Sequence, residues 1–272
     1  MPTDAAWPSV RRERFETCGV PIDSIPIDEA VAQLANRSVR GPVHLCNAYT
    51  LSLAARSDDL RDLLRRAARN HPDGMPLVWM ARRLGLRHLG GRVYGPELMR
   101  RTLDHGRAHG VRHHLYGGDP RTIDLLVGVI HRTWPGCVIS ATPAPRTDDL
   151  TTFEADFPDI TAHSPDIVWV GLGTPKQDFV VDRLAAAVPN AACVAVGAAF
   201  DFIAGTKRSA PAWIGNLGLE WAYRLATEPR RLWRRYLIGN VRFLRAAQHT
   251  TRLIVGDRAG VDTTDDPSRD HR

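Results

Sequence analysis

Short apolar runs rich in β-branched residues alternate along this chain with longer stretches of helical period. The runs at Val43–Ala48, Val111–Tyr116, Cys137–Ala141, Asp166–Gly171 and Ala192–Gly197 predict strands. Between them, Leu51–Asn70, Pro96–His109, Pro120–Trp134, Asp149–His163 and Lys176–Ala187 predict helices, and Pro76–Leu84 a short one after Asp73-Gly74. Each crossover is long enough for a right-handed parallel connection. The expected fold class is therefore α/β, a Rossmann-like parallel sheet with helices on both faces and ligands at the carboxyl ends of its strands. After Gly205 the alternation stops, and Pro211 to Gln248 reads as helices only, broken near Glu228-Pro229. The expected organisation is an α/β domain over residues 1–210, a basic amphipathic helical appendage over 211–256 and a polar, disordered tail over 257–272.

Charge sharpens that division. The 272 residues carry a net charge of +6, yet Arg224 to Arg258 contains nine arginines against Glu228 and Asp257. The segment alone holds an excess of +7, so the rest of the chain sums to −1. On a helical wheel of Leu232–Arg245, Leu232, Trp233, Tyr236, Leu237, Val241, Phe243 and Leu244 fill one half. Arg234, Arg235, Arg242 and Arg245 crowd another arc, shared only with Ile238. Such a helix can lie on an anionic bilayer, or it can dock its apolar face on the core, and the two readings are compatible. The apolar face also leaves room for a dimer.

Composition excludes several classes. An apolar fraction of 43% supports a sizeable core. No apolar run approaches the ~18 residues of a spanning helix, and Met1 to Arg14 shows no signal-peptide pattern. Cys18, Cys46, Cys137 and Cys193 form no CxxC pair, which suits reduced, buried thiols in a cytosolic chain.

Three stretches carry candidate chemistry. The strand at Asp166–Gly171 runs into GLGTPKQD, where Gly171 and Gly173 let backbone amides approach an anion. Lys176, one of only two lysines, adds a charge at that helix start. The pattern is neither GxGxxG nor a P-loop, against NAD and ATP. Asp73-Gly74, in HPDGMP, is either an ordinary turn or a loop-tip carboxylate able to act as a general base. Asp201, just past an apolar strand, is either buried and paired or part of a site. His105 and His109 lack the Glu of HExxH, and no DxD occurs, so no metal site is expected.

Together, HLCNAYTLSLA (44–54), HPDGMPLVW (71–79), RVYGPELM (92–99), YGGDP (116–120), DIVWVGLGTPKQD (166–178), VGAAFDFIAGTKRSAP (196–211) and GLEWAYRLATEPRRLWRRY (218–236) resemble the bacterial WecG/TagA/CpsF family of glycosyltransferases, also called glycosyltransferase family 26. The resemblance implies an inverting transferase that moves an N-acetylmannosamine-type sugar from a UDP donor to a polyprenyl-diphosphate-linked sugar, in cell-surface polysaccharide synthesis. It implies a Rossmann-like body and a membrane-associated C-terminal appendage, hence a protein peripheral on the inner face of the plasma membrane. The family's proposed base falls on Asp73, and its appendage arginines, thought to hold the diphosphate, fall on Arg224, Arg231 and Arg234. The donor pocket is expected to use Asn47, Thr50, Gly118, Gly171, Gly173, Lys176, Gln177, Asp201 and Arg208, with no cofactor and no metal.

The chain also departs from the family pattern. Leu45 stands where some members have Thr, so a hydroxyl role passes to Thr50 or is lost. Ser209 stands at the usual Arg position, leaving Arg208 as the substitute, and Asp178 replaces a Glu. The alternative to an enzyme is a non-catalytic protein whose basic helix engages nucleic acid or anionic membrane. Trp and Tyr beside the arginines speak against nucleic acid as the partner.

Overall fold

The fold is described from a computed structural model, over residues 13–86, 89–207, 210, 220–233 and 237–254. The main sheet is parallel and six-stranded, as the apolar runs predict. In chain order the elements begin with β1 (Arg14–Thr17), β2 (Val20–Asp23), α1 (Ile27–Ala35), β3 (Gly41–Cys46), α2 (Ala48–Ala54), α3 (Asp58–Arg66), β4 (Arg69–Pro72) and α4 (Met75–Arg83). There follow α5 (Gly95–Arg107), β5 (Arg112–Gly117), α6 (Pro120–Thr133), β6 (Val138–Thr142), α7 (Leu150–Glu154), α8 (Phe157–Ala162), β7 (Ile167–Gly171), α9 (Lys176–Ala187), β8 (Ala192–Ala195) and α10 (Ala199–Ala204). The described part of the C-terminal segment holds α11 (Glu220–Thr227), α12 (Pro229–Trp233), α13 (Gly239–Thr250) and β9 (Arg252–Ile254). The strand order is β4-β3-β8-β7-β5-β6.

In β7 the run IVWV is apolar throughout because both of its faces are covered. Ile167 and Trp169 join the core under α1, α5, α6 and α10, while Val168 and Val170 join the core under α7, α8 and α9. A third apolar cluster, on the α9 side, holds α2, α3 and α4 together with β1, β2 and Phe243 of α13. Adjacent strands β7 and β8 send the chain to opposite faces, into α9 and α10 respectively. A crevice opens at the carboxyl end of a parallel sheet where connections diverge in this way.

Two expectations need correction, and one sheet was not anticipated. Leu51–Asn70 is not one helix. Ser57 caps α3 by accepting from the Leu60 amide, and Arg69–Pro72 pairs in parallel with β3. Its sequence, RNHP, hides a strand because three of its four side chains are polar yet buried, two of them held by partners distant in the sequence. Arg69 bonds Gln33 and the Ala68 carbonyl, and the Asn70 amide group bonds the Pro21 and Leu64 carbonyls. Asp149–His163 is likewise two short helices, α7 and α8, with Pro158 in the first turn of the second. Finally, β1 and β2 form a small antiparallel sheet completed by β9 from the other end of the chain.

All four cysteines are buried and unpaired. Among the described residues no helix is long and apolar enough to cross a membrane. The tail over 257–272 lies outside the described residues.

Candidate active site

The carboxyl ends of β4, β3, β8 and β7 surround a cleft of about 260 Å³. Asp73 stands on one wall. Its amide donates to the Cys46 carbonyl at 2.7 Å, continuing the β3–β4 ladder one step past Pro72. Gly74 then turns the chain into α4 with φ 136° and ψ 145°, a left-handed conformation that excludes ordinary side chains. Asp73 is thus fixed by backbone geometry on both sides. The buried Cys46 thiol beneath it is held well above its usual range, first by burial and then by the carboxylates of Asp178, Asp23 and Asp73. That thiol stays protonated and is no nucleophile at neutral pH.

Asn47 follows β3 as the N-cap of α2. Its Oδ1 accepts from the Tyr49 amide at 3.0 Å and the Thr50 amide at 3.1 Å. That leaves the side-chain NH₂ as the group it can offer to a ligand in the cleft it lines. Thr50 is buried, with Oγ1 3.4 Å from the same Asn47 oxygen. It supports Asn47 from behind and does not line the cleft. Leu45, at the expected Thr position, lines the cleft as an apolar surface.

The opposite rim is the GLGTPKQD loop. Gly171 admits no side chain, since a Cβ there would lie 2.7 Å from the Phe200 ring. Gln177 folds back over the loop, accepting from the Gly173 amide at 3.0 Å and donating to Thr174 Oγ1 at 3.3 Å. Gln177 therefore shapes the rim, and the Gly173 amide is already engaged. Below it, Asp178 Oδ1 and His44 Nδ1 meet at 2.9 Å, both buried, and tie α9 to β3.

Among the described residues, two cations complete the cleft. Lys207 Nζ donates to Asp201 Oδ2 at 2.7 Å, so Asp201 acts as the tether of a lysine at the cleft wall. Arg224, from α11, lies over the Phe202 ring with its Cζ 5.4 Å from the centroid. Its Nε–H is buried and has no hydrogen-bond partner among the described residues. A buried donor without an acceptor is costly, and a bound anionic oxygen would relieve that cost.

Asp73, Asn47, Gly171, Gly173, Gln177, Asp201 and Arg224 thus share one cleft. Gly118 and Lys176 do not line it. They line an adjoining cleft of about 420 Å³ on the far side of Gly171-Leu172, with Asp119, Arg146 and Asp148. There Lys176 Nζ bonds the Thr147 carbonyl at 2.6 Å and Asp148 Oδ1 at 3.1 Å. Arg208 and Arg234, and the side chain of Arg231, lie outside the described residues. Sequence reasoning missed Lys207 and the Tyr94-Gly95-Pro96 wall at the start of α5. The scarcity of lysine pointed to Lys207, and Gly95 is needed because a Cβ there would approach the Val196 carbonyl to 3.2 Å.

The C-terminal helices also settle on the body. Phe243 and Ala247 of α13 are buried in the cluster that holds α2 and α4. Leu237, Val241 and Leu244 remain exposed beside exposed Arg242 and Arg245. The apolar half of the expected wheel is therefore split into a docked strip and a solvent-facing strip.

The family model for the glycosyl transferase WecG/TagA/CpsF family matches residues 15–253. Among similar proteins, the N-acetylglucosaminyldiphosphoundecaprenol N-acetyl-beta-D-mannosaminyltransferase of Bacillus spizizenii is 33% identical over 167 residues, 61% of this chain and 63% of that protein. The protein of the same name from Bacillus subtilis strain 168 is 28% identical over 211 residues, 78% of this chain and 80% of that protein. The match to the first spans less than two thirds of that relative's length. With the family match running from β1 to β9, this chain belongs to the WecG/TagA/CpsF family of glycosyltransferases.

Proposed function

We infer that the protein transfers N-acetylmannosamine, with inversion, from a UDP donor to a polyprenyl-diphosphate-linked N-acetylglucosamine. One observation carries this reading: Asp73 shares its cleft with Lys207 and with an Arg224 whose buried Nε–H lacks a partner among the described residues. In a single displacement, Asp73 takes the proton of the acceptor hydroxyl as that oxygen forms its bond to the anomeric carbon. The bond from that carbon to the diphosphate oxygen breaks on the opposite face. The negative charge that develops there falls to Lys207 and Arg224. Two side-chain cations suited to that role support a reaction that needs no metal.

The adjoining clefts on either side of Gly171-Leu172 give an elongated donor room for both nucleoside and sugar. The exposed Leu237, Val241 and Leu244 strip beside Arg242 and Arg245 supports a peripheral position on an anionic bilayer, where a lipid-linked acceptor resides. A donor made in the cytoplasm places that bilayer face on the inner side of the plasma membrane. The names of the two Bacillus relatives support the sugar and the acceptor.

Incubation of the protein with UDP-N-acetylmannosamine and a synthetic polyprenyl-diphosphate N-acetylglucosamine should release UDP and add one sugar to the lipid, in EDTA as well as without it. No product from this pair, with product from another UDP-sugar, would overturn the donor assignment. Activity abolished by EDTA and restored by a divalent cation would overturn the metal-free mechanism.

A further inference from the structure

The helix α4 leaves the cleft directly from Asp73-Gly74, and its two faces differ sharply. Leu77, Val78 and Ala81 are buried. On the outer arc Trp79 is 53% exposed, and Arg82 and Arg83 are exposed beside it at spacings of three and four. Arg82 reaches the Gly90 carbonyl through one guanidinium nitrogen at 3.0 Å. An indole left half in solvent and flanked by guanidinium groups is the arrangement that suits a bilayer interface. There the ring sits at headgroup depth and the cations meet anionic lipid.

The position of α4 makes the face more than an isolated tryptophan. A Cβ on Gly74, the N-cap of α4, would lie 3.8 Å from Asn47 Cβ. A Cβ on Gly239, where α13 begins, would lie 3.2 Å from Tyr49 Cδ2, two residues further along. Both helices therefore start against the same corner of α2, at the rim of the cleft, and both bury their inner faces in one apolar cluster. The exposed apolar and basic strip of α13 and the Trp79 face of α4 thus belong to helices that start side by side near Asn47, which lines the cleft with Asp73.

We propose that the outer face of α4, through Trp79, Arg82 and Arg83, is a second contact with an anionic lipid bilayer. Together with α13 it seats the mouth of the cleft on the membrane. The proposal rests on the lipid-linked acceptor inferred above and goes beyond it by assigning a lipid contact to the catalytic body. A single helix contact would leave the body free to tilt about it. A second contact from the helix that leaves Asp73 restrains that tilt and holds Asp73 at the depth where the acceptor's first sugar emerges.

The test uses the full chain and vesicles of equimolar phosphatidylcholine and phosphatidylglycerol. Trp79→Gln should lower vesicle affinity about tenfold, and Arg82→Gln with Arg83→Gln should lower it by about fivefold per arginine in low salt. Brominated lipid should quench less of the tryptophan emission in Trp79→Phe than in wild type. Turnover on a short-chain, water-soluble acceptor should stay unchanged in all these variants, while turnover on vesicle-embedded acceptor falls.

Unchanged vesicle affinity and unchanged quenching would overturn the proposal. So would a concentration-dependent dimer, seen by sedimentation equilibrium and lost in Trp79→Gln, since the face would then belong to a second copy. Should Trp79→Gln unfold, the arginine pair, exposed and outside the core, gives the same reading. Vesicle binding and quenching need no sugar donor, so they decide the lipid contact even if the wild-type protein proves inactive with UDP-N-acetylmannosamine.

Discussion

The floor of the cleft and the segment that closes over it are built on different principles. The floor is made of strand ends and the tight turns that follow them. Asp73 is fixed by a ladder hydrogen bond and a left-handed glycine, Asn47 by two capped amides, and Gln177 by its own loop. The closing segment offers Arg224, held by a ring contact and with its buried Nε–H unpartnered among the described residues, and helices whose outer faces are apolar and basic. Groups on the floor are preorganised by the backbone before any ligand arrives. Groups on the closing segment gain their partners from the ligand or the membrane. Chemistry that needs a fixed proton acceptor belongs on the first kind of support, and charge neutralisation that accompanies binding belongs on the second.

Substitutions should separate the two. Asp73→Asn should lower kcat by about 10²–10⁴-fold, with UDP affinity measured by calorimetry little changed, because it removes the proton acceptor alone. Arg224→Ala should cost about 10²-fold in kcat and should also weaken UDP binding. A loss confined to kcat with full UDP affinity would make Arg224 part of the fixed machinery and break the distinction.

The sheet beneath the cleft should also respond to acid. Burial pushes His71, His113 and His114 down to about 4. These imidazoles stay neutral when folded, whereas the unfolded chain takes up protons below about 6.5. Their contribution is fully present above pH 6.5 and is lost as pH falls toward 4, by on the order of 3 kcal/mol per histidine. Thermal melts from pH 7 to pH 4.5 should therefore show a steep fall in Tm, reduced in His71→Gln if that variant folds. The smallest effect is expected from Val241→Gln with Leu244→Gln, which should weaken vesicle binding several-fold and leave turnover on a soluble acceptor intact.

The same contrast explains what could be read from the sequence. Five of the six strands of the main sheet and the whole of α9 follow from local apolar patterning. β4 does not, because its Arg69 and Asn70 side chains are satisfied by Gln33, Pro21 and Leu64, and the Asn70 backbone amide by Asp23, all elsewhere in the sequence. The β1–β2–β9 sheet was missed for a similar reason, since its third strand comes from the far end of the chain. In the site, Gly171 and Asp201 were legible from their places at strand ends, whereas Asp73 as base, Asn47 and Gln177 came through the family resemblance. Residues whose direction depends on a distant partner were not legible. Lys176 turns to Thr147 and Asp148 in the adjoining cleft, and Lys207 is brought in by Asp201.

The central claim is that Asp73 activates an acceptor hydroxyl for one direct displacement, with the diphosphate leaving from the opposite face. The anomeric configuration of the new glycosidic bond, read by NMR on product made from the α-linked UDP-sugar, tests it most directly. A β linkage is predicted, and an α linkage would contradict the account.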